Sequence, residues 1–143
     1  MDSERALAFL RAHQPMPPDH AITDEEGIEF SQILRHFQAV PDERCIPLLI
    51  HAVSSGTGLG MYEHISFVLM AHRREQVVPH LKAALTSGGS AVKYRCCWWA
   101  ADLSAWELAD LIRPLCRDSD ADTSAAAQSF IELQEESGAV PSA

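Results

Sequence analysis

The chain has 143 residues, of which 47% are hydrophobic and only 7 are glycine, a composition that excludes a disordered polymer and fits one compact domain. It carries 11 basic against 20 acidic residues, a formal charge of −9. Such a charge repels a phosphate backbone, so a nucleic-acid partner is not expected.

The first element in chain order is a helix over Ser3 to His13, with Ala6, Leu7, Phe9 and Leu10 as its apolar face. The run Gln14-Pro15-Met16-Pro17-Pro18-Asp19 breaks it. A second helix starts at Thr23, where T-D-E-E has the form of a capping box: the Thr23 hydroxyl caps while Glu26 reaches back. Its stripe is Ile33, Leu34 and Phe37, with Ile28 and Phe30 at the entry. The chain start lacks the basic flank and long apolar core of a secretion signal, and no apolar run reaches the ~20 residues that span a bilayer. A cytoplasmic protein without membrane contact is the expectation.

From Glu43 onward the chain repeats. Glu43, Glu75 and Glu107 lie 32 residues apart, and each is followed by an apolar stripe at helical spacing. The stripes are Ile46, Leu49, Ile50, Val53, then Val78, Leu81, Leu85, then Leu108, Leu111, Ile112, Leu115. Pro47 and Pro79 hold equivalent places, near a helix start or at a kink. A second helical phrase follows each copy, over Leu59–His72, Ser90–Leu103 and Asp120–Leu133, and Tyr62 and Tyr94 keep the period. Turns at Ser54–Gly58 and Ser87–Ser90 separate first helix from second. The unit is helix, turn, helix.

These phrases, ERCIPLLIHAV, EQVVPHLKAAL, SAVKYRCCWWAADL and DSDADTSAAAQSFIEL, resemble HEAT repeats over residues 42 to 135. Val92-Lys93-Tyr94-Arg95 is similar to the V-R-x-x-A phrase of a second helix, and Asp118-Ser119-Asp120 to the aspartate-rich turn before one. The third copy lacks the early proline, and its apolar stripe arrives two residues early. The resemblance implies an all-α fold: a short right-handed α-solenoid with helix pairs at 42–72, 74–103 and 105–135. Residues 1–40 then read as an N-terminal helical cap, 1–136 as a single domain, and 137–143 as a flexible tail.

No catalytic set is legible. Seven histidines lie along the chain without a recurrent carboxylate or nucleophile at helical spacing. The glycine-rich Gly56-Thr57-Gly58-Leu59-Gly60 lacks the lysine and preceding strand of a P-loop. Cys45, Cys96, Cys97 and Cys116 fall inside helical stripes as small hydrophobes, without the paired spacing of a zinc site. Neither a metal nor a cofactor is expected, and the chain reads as a non-enzyme.

What remains is protein binding. The segment YRCCWWAA is apolar nearly all round, which favours burial between neighbours but offers Tyr94, Trp98 or Trp106 as aromatic anchors on a concave face. With Tyr62 and Glu63 on the preceding copy, and Asp102 one turn after Trp98, these six are the candidate partner-binding residues. Small size, acidity and the aromatic central helix resemble the helical-repeat immunity proteins of bacterial polymorphic toxin systems. That resemblance implies a basic toxin or effector domain as partner. A HEAT-like adaptor subunit and a repeat-scaffold lyase or DNA-repair enzyme are the other readings.

Overall fold

A computed structural model describes residues 1–138; the part of the expected tail from residue 139 on lies outside the described residues. Among the described residues the chain is all helical, without strands. Its tertiary contacts gather into two compact units, Met1–Val77 and Val78 onward, where a single domain over 1–136 was the expectation.

Unit 1 opens with α1 (Ser3–Ala12), which begins where the Asp2 carboxylate accepts from the Arg5 N–H. Its apolar face behaves as the spacing predicts, with Ala6, Leu7 and Leu10 fully buried. Phe9 is half-buried and stacks on His13, ring centroids 3.9 Å apart. The His13 imidazole also meets the Glu26 carboxylate at 3.0 Å, fastening the end of α1 to the start of α2 (Asp24–Ala39).

The capping box at the head of α2 forms as the sequence indicates: the Thr23 hydroxyl accepts from the Glu26 N–H, and the Glu26 carboxylate accepts from the Thr23 N–H. The hydrogen bond from the Thr23 backbone is the main reason the Glu26 carboxyl lies below its ordinary value. Phe30, Ile33, Leu34 and Phe37 are buried along α2. Ile28 departs from expectation and points to solvent, 61% exposed.

The next helix, α3 (Cys45–Ile50), is shorter than its stripe. Val53 is buried all the same, carried inward by the turn after the helix rather than by the helix itself. Pro47 is in its first turn, where the missing N–H costs nothing. The phrase Leu59–His72 is the main correction to the expected helix pairs. It is not one helix: a turn leads to a 3-10 turn at Tyr62–His64, and only then to α4 (Ile65–Met70). The cause lies in the loop, where Gly56, Gly58 and Gly60 have φ of +98°, +60° and +85° and Leu59 itself sits at +56°. The Asp19 carboxylate fixes that loop by accepting from the Thr57 and Gly58 N–H groups at 3.0 and 2.9 Å. Within the unit, α1 packs on α2 and α3, and α4 on α2 and α3.

A long helix, α5 (Arg74–Ser87), contains the unit boundary and runs through Pro79, which cannot supply the bond to the Glu75 carbonyl. In unit 2 follow α6 (Ser90–Asp102), a 3-10 turn at Trp106–Leu108, α7 (Ala109–Ile112), a second 3-10 turn at Arg113–Arg117, and α8 (Ala121–Glu136). The third first-helix phrase is therefore broken into three short pieces, with Leu108, Ile112 and Leu115 still buried. Pro114, inside the second 3-10 turn, removes a donor at the point where an α-helix would have continued. The Asp120 carboxylate caps α8 by accepting from the Thr123 N–H and hydroxyl at 2.9 and 2.7 Å. The core of unit 2 is α6 laid along α8, with α7 and its following turn packed on α8.

Candidate functional site

The candidate face is built on α6. Two glycines precede the helix, and Gly88 is required there: a Cβ would stand 2.6 Å from the Ala84 carbonyl oxygen. The helix stops in a Schellman arrangement, with the Ala105 N–H donating to the Ala100 carbonyl and the Ser104 N–H to the Ala101 carbonyl. The left-handed position is held by Ser104 at φ +51° instead of by glycine.

Between those ends, burial divides the helix cleanly. Val92, Arg95, Cys96, Cys97, Trp99 and Ala100 are buried. The opposite stripe is Tyr94, Trp98 and Asp102, spaced four apart and so stacked on one face. Trp98 is 37% exposed, Tyr94 half-buried and Asp102 exposed. The Arg95 guanidinium carbon lies 5.2 Å from the Tyr94 ring centroid, a cation–π contact that restrains the ring. Desolvation raises the Asp102 carboxyl above its ordinary value.

The other three sequence candidates are placed differently. Trp106 is half-buried, its ring 5.3 Å from that of Phe130, so it docks its own turn onto α8. Glu63 is exposed in the 3-10 turn of unit 1. Tyr62 is a correction. It is fully buried, edge-on to Phe30 at 6.2 Å, with its hydroxyl 3.1 Å from the Ser54 Oγ. No partner reaches that ring, because the residues around it form the core of unit 1.

The burial of Arg95, 8% exposed, had no signal in the sequence beyond its place between Tyr94 and Cys96. One pair has the elements of a nucleophilic site: the Cys45 Sγ is 4.0 Å from the His72 Nε2. Burial pushes the Cys45 thiol up to about 12, and desolvation lowers His72. The thiol stays protonated, whereas a nucleophilic cysteine needs the thiolate. Burial likewise pushes Cys97 up to about 12 and raises Cys96. Among the described residues no three His, Cys, Asp or Glu side chains gather closely enough to hold a metal ion. No helix among them is long and apolar enough to cross a membrane.

Compared with protein-family models, with curated proteins and with solved structures, the chain finds no match in any of the three.

Proposed function

We propose that this chain is a non-catalytic protein-binding module: a cytoplasmic immunity protein that covers a basic toxin or effector domain with the exposed face of α6. The observation that carries the reading is the stripe Tyr94–Trp98–Asp102, two aromatic rings and a carboxylate on one rigid helix. Large rings with polar tips, held in place before binding, supply most of the energy at protein interfaces. The charge of −9 draws in a basic partner and accelerates encounter.

The proposed scaffold is a short right-handed solenoid of HEAT-like pairs. The packing of α6 along α8 supports it, because second helices of successive repeats lie side by side in such arrays. Inhibition is by occlusion and asks no chemistry of the inhibitor.

The test is a pull-down from source cells with the purified chain as bait, at low and high salt, repeated with Trp98→Ala. A single basic protein in a salt-sensitive 1:1 complex, lost by about 2 kcal/mol or more on truncating Trp98, is the expected result. Binding that survives the truncation moves the interface off α6. Capture of several housekeeping subunits instead identifies an adaptor.

A further inference from the structure

A second site lies in unit 1, away from the residues used above. The C-terminal half of α2 and the loop at 59–64 line a half-open surface cavity of about 230 Å³. Its apolar lining is Leu34, Leu59 and Met61, and its polar side chains are Ser31, Arg35, Gln38 and His64. Arg35 also borders a wider, more open depression of about 510 Å³ whose other polar walls are Arg5, Gln32 and His36.

Three observations define what fits. The smaller cavity falls below the roughly 300–1,000 Å³ of sites for drug-sized molecules, and so takes one group the size of a large amino-acid side chain. Arg35 makes no ion pair or hydrogen bond with the described residues, and it stands where the cavity meets the open depression. Leu59, 60% exposed at φ +56°, is held in a backbone region that leucine avoids, and the strain places its side chain on the cavity wall instead of in the core. The charge of −9 makes the surface a poor place for an anion in general, so an anion would have to be held locally. Arg35 is the cation at this opening, and a guanidinium presents two parallel donors to a carboxylate.

We propose that this cavity binds a small apolar monocarboxylate, an aliphatic or aryl acid. The hydrocarbon body would pack against Leu34, Leu59 and Met61, and the carboxylate would pair with Arg35. The inference is independent of the role of α6, and either can fail alone.

The experiment is a titration of the full chain with 4-methylpentanoate, followed by backbone NMR shifts, with 4-methylpentanamide, acetate and inorganic phosphate as controls. Saturable 1:1 binding with shifts at 31–38 and 59–64 is expected. The amide and acetate should each bind at least tenfold more weakly, the first lacking the charge and the second the body. Arg35→Gln should weaken 4-methylpentanoate at least tenfold, with Arg35→Lys intermediate. Leu59→Gly, which relieves the strained φ while removing the wall, should raise the melting temperature yet weaken binding. Absence of saturable binding, equal binding by phosphate, or unchanged binding by Arg35→Gln overturns the proposal. Both side chains are exposed, so the variants should fold, and a melting curve on each verifies it.

Discussion

The segments 59–72 and 90–103 occupy equivalent places in the 32-residue period, yet they fold differently. The second is one uninterrupted helix, α6, whereas the first spends six residues on a glycine-held loop and a 3-10 turn before α4 begins. Their matching tyrosines diverge accordingly, Tyr62 fully buried and Tyr94 half-buried on an outward stripe. A sequence period fixes which residues correspond. Exposure depends on the backbone that carries them, and the buried Tyr62 follows a loop in which three glycines take positive φ.

Truncation at the two tyrosines tests that contrast most strongly. Tyr62→Ala should cost about 3–5 kcal/mol, since it empties a buried aromatic site and removes one of the two hydrogen bonds at the Ser54 hydroxyl, leaving the one to the Pro17 carbonyl. Tyr94→Ala, at a partly exposed position, should cost about 1 kcal/mol or less. Comparable losses in chemical denaturation would erase the distinction. Next in size is Gly58→Ala, expected to destabilise by about 2 kcal/mol or more. The new Cβ would lie 2.5 Å from the Tyr62 ring, at a φ of +60°. A variant with wild-type stability would show that the loop yields freely and does not dictate the inward turn.

The opposite sign is expected at the end of α6. Ser104→Gly relieves a left-handed serine and should stabilise by about 1 kcal/mol, read as a rise in melting temperature. The smallest effect is that of pH, and it too differs between the segments. Desolvation lowers His72, so the unfolded chain takes up that proton more readily than the folded one. Its contribution is complete above the ordinary value of 6.5 and is lost as the pH falls below it. Asp102, raised, works the other way: the folded state holds its proton more firmly, and acid through the carboxylate range favours folding there. His72→Gln should therefore flatten the stability profile between neutrality and about pH 5, and Asp102→Asn should raise the melting temperature slightly. Profiles unchanged in both variants would remove titration from the contrast.

Much of the fold was legible because it rests on local chemistry. The capping box at Thr23 and Glu26 and the buried stripes of α1 and α2 need only side-chain types at helical spacing. What the sequence obscured was set by backbone geometry. Leu59 in a left-handed conformation delays α4, and the segment around Pro114 becomes a 3-10 turn where the stripe alone reads as helix. Of the partner-facing candidates, Trp98 and Asp102 reach solvent because they fall opposite the face of α6 that is packed on α8. Tyr62 was placed beside them by period alone, and the loop before it decided otherwise.

The buried thiols give the protein a practical property. Cys45, Cys96 and Cys97 are enclosed and raised above the usual thiol range, while Cys116 is partly open to solvent at the foot of α8. A maleimide dye at neutral pH should therefore attach first at Cys116, giving the native chain a single-site fluorescent handle without any cysteine being introduced or removed. Later modification of the other three then becomes a clock for opening of the units that enclose them.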